Sequence, residues 1–176
     1  MKDVALLVVD VQKMLIDSHP YREKELLEEI LTLAGRAREK GVEVIYVRHN
    51  EDEEGGLKPN TPAWQVHSAV APVEGEKIFD KRFSSAFKNT GLDEYLHEKG
   101  IKTLVVCGMQ TEYCIDATIK SAFDRDYKVY MPAGGSTTFD NRLATGDKLV
   151  AFYEKAIWDG RFADVIPLEE ALPKLA

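Results

Sequence analysis

Residues Val4–Asp10 read VALLVVD, six apolar residues in succession stopped by an aspartate. A strand with one wet face alternates polar and apolar residues. A run without alternation, rich in β-branched residues, reads as a strand buried on both faces. Burial on both faces calls for a parallel sheet with helices above and below, joined by crossovers.

The rest of the chain supplies those elements. Glu23–Lys40 carries Leu26, Leu27, Ile30, Leu31, Leu33, Ala34 and Ala37 at helical spacing, and Gly41 follows as a left-handed cap. Val42–Val47 (VEVIYV), Lys77–Asp80, Ile101–Cys107 (IKTLVVC), Lys128–Met131 and Ala163–Ile166 read as further strands. Helices are predicted over Leu92–Lys99, Glu112–Arg125 and Asn141–Ile157, the second burying Ala117, Ile119 or Lys120, Ala122 and Phe123. The expected fold is α/β: a three-layer α/β/α sandwich around a six-stranded, mostly parallel, Rossmann-like sheet with helices on both faces. With 176 residues and no linker or repeat, residues 1–176 are expected to form a single domain.

Between the second and third strands lies a segment with Gly55, Gly56, Pro59, Pro62, Pro72, Gly75 and an acidic run, EDEE. Long irregular segments in compact domains are often lids or binding loops. Trp64, Val66 and His67 favour an ordered one.

Composition excludes several classes. A net charge of -7 repels phosphate, so neither nucleic acid nor an anionic membrane is an expected partner. No apolar run approaches the ~20 residues of a membrane span, and no secretory leader is recognisable at the N-terminus. A cytoplasmic protein with reduced thiols is expected. Two cysteines, Cys107 and Cys114, are too few for a disulfide framework or a four-thiolate zinc site.

Ligands of parallel sheets bind beyond the carboxyl ends of the strands. Four strands run out there into residues able to do chemistry: Asp10, His49, the Asp80–Lys81 pair and the turn from Cys107 to Cys114. Cys114 stands where the chain turns into a helix, whose N-terminus lowers a thiol pKa and offers free N–H groups to an oxyanion. Its bland alternative is a small buried hydrophobe, the role expected of Cys107. Asp10 is a candidate general base or a cap. Lys81 is a candidate counter-charge or a solvated lysine. Ser84 and Ser85 are possible nucleophiles, but no GxSxG elbow accompanies them. GxxxxGK[ST] and GxGxxG are also absent. Gln12 stands where a haloacid-dehalogenase-like phosphotransferase would need its second aspartate.

The segments ALLVVDVQKML, FDKRFSSAFKNTGLDEYL and LVVCGMQTEYCIDATIKSAFDRDYKVY, in this order and spacing, resemble those of isochorismatase-like cysteine hydrolases. That family includes nicotinamidases, N-carbamoyl amidohydrolases and isochorismatases. The resemblance places a catalytic triad on Asp10, Lys81 and Cys114. It also implies a non-proline cis peptide between Met109 and Gln110, next to the tight turn at Gly108, and an oxyanion hole from the N–H groups of Gln110 and Cys114. His49, Trp64, Phe83, Gln110 and Tyr113 are expected to line the substrate site.

The implied activity is cleavage of a C–N bond in a small amide-type substrate through a thioester. The alternatives are vinyl-ether hydrolysis, which needs the acid and not the thiol, and a silent binding or scaffold module. A homodimer or homotetramer is implied. Nicotinamidases of the family hold a divalent metal through Asp-x-His and a further histidine. Here Val47 takes the aspartate's place in YVRHN, so no metal and no cofactor is expected; His49, Asp52 and His67 form the remaining possible ligand set. The stretch after the fifth strand reads MPAGGSTTFD, without the family's Asp-Ala pair.

Overall fold

The computed structural model describes residues 2–52 and 54–176. Met1, the first residue of the expected domain, and Glu53, within the acidic run, lie outside the described residues. The elements that position the site are β1 (Val4–Val9), α1 (Lys13–Asp17), α2 (Glu23–Lys40), β2 (Glu43–His49), β3 (Lys77–Lys81), α3 (Leu92–Glu98), β4 (Thr103–Met109), α4 (Asp116–Phe123), β5 (Lys128–Pro132), β6 (Ser136–Thr137), α5 (Gly146–Phe152), β7 (Asp164–Ile166) and α6 (Leu168–Ala171).

The sheet has seven strands in the order β3-β2-β1-β4-β5-β7, with β6 paired to the end of β4, and every pair is parallel. All six residues of β1 are buried, as expected of an inner strand flanked by β2 and β4. On one face α2 lays Leu26, Ile30, Leu33, Ala34 and Ala37 over Leu6, Val8, Val44, Val105 and Cys107, joined by Ala171 and Leu175. On the other, Leu92 and Leu96 of α3, Ile119 and Ala122 of α4, and Trp158 cover Ala5, Leu7, Val9, Ile45 and Val47. These are the three expected layers. Gly41 ends α2 at φ 65°, the left-handed cap its position predicted.

Four expectations need correction. The sheet has seven strands rather than six, because Ser136–Thr137 adds a two-residue strand beside Gly108 and Met109. Two residues carry no readable periodicity. The Glu112–Arg125 helix is a π-helical turn, Thr111–Ile115, followed by α4 from Asp116. That extra residue in the turn shifts the inner face, so Thr118, Ile119 and Ala122 are buried while Phe123 is exposed. The Asn141–Ile157 helix begins only at Gly146. Before it, the Asn141 carboxamide accepts from the N–H groups of Leu143 and Ala144, and Asp140 accepts from Gly146 N–H at 2.7 Å. Local side-chain hydrogen bonds of this kind compete with helix. Among the described residues no helix is long and apolar enough to cross a membrane.

Candidate active site

Strand order reverses between β1 and β4: the chain moves outward from β1 through β2 to β3, then returns to place β4 on the other side of β1. A crevice opens at the carboxyl ends of the strands where such a reversal occurs. Asp10 follows β1 directly, and Cys114 follows β4 after the turn at Gln110. His49 ends β2 and Lys81 ends β3, opposite each other in register. Lys81 is the one buried residue of the edge strand β3.

Unusual backbone geometry flanks the crevice. Asp10 sits at φ 54° and donates its N–H to Val47 O at 2.9 Å. Left-handed backbone is uncommon outside glycine, though aspartate tolerates it better than most residues. On β4, Gly108 has φ 131°, and a Cβ there would stand 2.0 Å from Val9 O. Only glycine lets β1 and β4 approach this closely. The next peptide but one, Met109–Gln110, is cis.

The side chains meet at the Lys81 ammonium. Nζ lies 2.7 Å from Asp10 Oδ2, 3.0 Å from His49 Nδ1 and 3.1 Å from Cys114 Sγ. A carboxylate oxygen of Asp10, a ring nitrogen of His49 and the Cys114 sulfur all lie within 4.8 Å of one another. Asp10 and Lys81 are almost wholly buried, at 1% and 2% exposure, so each ion depends on the other for its charge compensation. The second oxygen, Asp10 Oδ1, is buried and has no hydrogen-bond partner.

Cys114 departs from expectation in its protonation. Burial, then the Asp10 charge, pushes its thiol up to about 12, and the neighbouring Lys81 pulls it back only in part. Burial and the Asp10 charge thus act against a thiolate here and oppose the helix-end effect. A buried thiol beside a carboxylate with a spare oxygen can surrender its proton on demand, which is general-base chemistry rather than a standing nucleophile. Cys107, wholly buried among apolar residues, is raised by burial and packs in the core layer on the α2 side of the sheet.

The remaining sequence candidates divide. Phe83 and Tyr113 are exposed, close along the chain to Lys81 and Cys114 respectively. Trp64 differs from the expected lining role: it is 4% exposed, Arg48 stacks 3.5 Å from its ring centroid, and its Nε1 donates to Asn50 Oδ1 at 2.6 Å. Its ring has no open face to offer. Ser85 pairs with Ser121 at 2.8 Å, and Ser84 is exposed. A cavity of about 650 Å³, lined by Glu51, Asp52, Lys58 and Arg82 among others, opens beside the ends of β2 and β3 rather than over Cys114.

The residues do not fit the metal site known from nicotinamidases. Val47 is buried in the apolar layer, Asp52 pairs with Arg82, and His67 accepts from Ala69 N–H while its Nε2 faces Asp17 at 3.8 Å. His49 remains, but its Nδ1 is engaged by Lys81. Asp10, His49 and Cys114 do converge, yet the centre of their convergence already holds the Lys81 ammonium, a cation in its own right.

Sequence reasoning missed how the site is braced. Gln12, wholly buried, donates from Nε2 to His49 O at 3.0 Å and Trp64 O at 2.8 Å, and accepts from His49 N–H at 2.8 Å. It ties the end of β2 and the Trp64 segment to the exit of β1. A glutamine two residues after a strand-ending aspartate was the available signal. Where the family's Asp-Ala pair is absent, Glu154 accepts from Gly134 N–H at 2.7 Å, and Ser136 joins Thr111 at 2.9 Å, fastening β6 to the turn that carries Cys114.

The chain and its fold have relatives among known proteins. The isochorismatase domain model matches residues 4–169. Streptothricin hydrolase of Streptomyces noursei is 34% identical over 146 residues, covering 81% of this chain; the chain spans only 57% of that relative's length. Nicotinamidase 3 of Arabidopsis thaliana is 27% identical over 156 residues, 81% of this chain and 77% of the relative. The crystal structure of an isochorismatase family protein superposes with a TM-score of 0.88 at 31% identity, covering 94% of this chain and 99% of the other.

Proposed function

The chain belongs to the isochorismatase family, and from that premise we propose that it is a cysteine hydrolase of small C–N substrates, related to the nicotinamidases. The observation that carries the reading is the Lys81 ammonium in contact with both Asp10 and Cys114. A base, a sulfur and a fixed positive charge within hydrogen-bond reach are the parts an acyl transfer needs.

In this reading Asp10 takes the Cys114 proton as the sulfur attacks an amide-type carbonyl. The tetrahedral oxyanion is held by the N–H groups of Gln110 and Cys114; one such donor is typically worth about 2.7–4 kcal/mol. Asp10 returns the proton to the leaving nitrogen, which departs as ammonia or an amine. Water then attacks the thioester with Asp10 again as base, releasing the acid and restoring the thiol. His49, Phe83 and Tyr113 contact the substrate, and Trp64 supports the wall from behind. Residues 1–176 act as a single hydrolase domain, in the cytoplasm, as a homodimer or homotetramer.

A screen of small amides, carbamoyl compounds and ureides for ammonia release identifies the substrate. On that substrate Cys114→Ala should lose turnover by roughly 10³-fold or more with an unchanged fold. A Cys114→Ala enzyme at wild-type rate refutes the thioester and leaves acid catalysis by Asp10, as vinyl-ether hydrolysis requires. Sedimentation at micromolar concentration tests the assembly; a 19.8 kDa species alone overturns it.

A further inference from the structure

An ammonium group has three N–H donors and nothing to accept with. The three contacts of Lys81 Nζ are Asp10 Oδ2, His49 Nδ1 and Cys114 Sγ, one for each donor. Its charge follows from Asp10: a buried carboxylate 2.7 Å away would otherwise stand uncompensated. His49 Nδ1 must then be the acceptor. An imidazole that accepts at Nδ1 is neutral and carries its proton on Nε2. Protonating the ring would set an imidazolium against the ammonium at 3.0 Å.

The rest of the surroundings agree. The charged and titratable groups around the ring are Lys81, Asp10, Cys114 and Glu51; burial first, then Lys81, holds the ring below the usual histidine range. The backbone of His49 is pinned on both sides by Gln12. Nε2 has no hydrogen-bond partner among the described residues and is not one of the buried unpaired polar atoms. Its N–H is thus open to whatever enters the site.

We propose that His49 is a neutral hydrogen-bond donor, fixed with its proton on Nε2 by Lys81, that selects small amides bearing a second acceptor atom beside the carbonyl that Cys114 attacks. The selection rests on the reading of Cys114 as nucleophile. A metal-ligating histidine offers a lone pair to a cation; this one offers a proton to an oxygen or nitrogen of the substrate. Sites built to hydrogen-bond a substrate group discriminate strongly against analogues lacking it, because the buried donor is left unpaired.

Two measurements test this. In ¹⁵N-imidazole spectra of the intact protein, assigned by loss of one signal in His49→Gln, His49 should show an unprotonated Nδ1 and a protonated Nε2, unmoved by equimolar zinc. A proton on Nδ1, a charged ring at neutral pH, or a zinc-induced shift of that signal overturns the proposal. The second is protection of Cys114 from iodoacetamide by methoxyacetamide or by butyramide, matched in shape except for the ether oxygen. Methoxyacetamide should halve the labelling rate at a concentration about tenfold lower than butyramide. The ratio should fall to near one in His49→Phe and recover in part in His49→Gln. Equal protection in the wild type refutes the selection. Retained discrimination together with wild-type turnover in Cys114→Ala refutes the nucleophile instead and leaves His49 as the donor.

Discussion

Two groups of charged side chains, one buried and one half-buried, arrange their hydrogen bonding in opposite ways. At the carboxyl ends of β1, β2 and β3, one cation sits in the middle and all its donors are matched, with a single carboxylate oxygen, Asp10 Oδ1, left over. On the α2 side, carboxylates outnumber cations. Arg22 gives Nη2 to Glu29 at 2.9 Å and Nη1 to Gly134 O at 3.3 Å, Glu154 holds Gly134 N–H, and Glu29 Oε2 is buried without a partner. Burial raises both glutamates above their ordinary range. Both clusters thus contain a spare acceptor. Beside a thiol proton, that acceptor can be a base. Where no transferable proton is near, it is only a cost that protonation relieves.

Removing the central cation should separate the clusters most. Lys81→Met strands the Asp10 charge, and denaturant unfolding should show a loss of about 3–5 kcal/mol. Arg22→Met should cost clearly less, since Arg22 is 27% exposed and water screens its charge. Equal losses would mean that the two clusters are equivalent in stability.

Asp10→Asn tests whether the leftover oxygen is the base. Iodoacetamide labelling of Cys114 should slow by about a hundredfold, at the low end of what general-base assistance supplies. Faster labelling would show a standing thiolate that the Asp10 charge merely suppresses.

The smallest effect belongs to Glu29 and concerns pH. Its folded pKa lies above its ordinary value of 4.5. Between the two values the folded chain binds more protons than the unfolded chain, so stability falls as pH rises through that window and is greatest below it. Glu29→Gln keeps the bond from Arg22 and removes the titration. Thermal melts from pH 4.5 to 8 should show a shallower decline in the variant and a higher midpoint at pH 8. An unaltered slope would place the pH sensitivity elsewhere.

Much of this was legible along the chain, and the failures share a cause. The apolar run ending at Asp10, the periodic helix capped by Gly41 and the strand leading to Cys107 each state their environment locally. Ser136–Thr137 is too short to show a period, and the π-turn before α4 adds a residue that no apolar spacing announces. Trp64 looked like a binding aromatic because its sequence neighbours conceal Arg48, which stacks on its ring from β2. The Cys114 thiol was expected low from its helix position; three-dimensional burial reversed the sign.

By itself, the sequence determined the layers, the buried strands and which residues stand at their carboxyl ends, because periodicity and strand-stopping residues are local properties of a chain. Only the tertiary structure decided that His49 faces Lys81, that Lys81 contacts groups from three different parts of the chain, and that burial raises the Cys114 thiol. Register, burial and charge compensation are sums over distant neighbours, and no local stretch of sequence carries them.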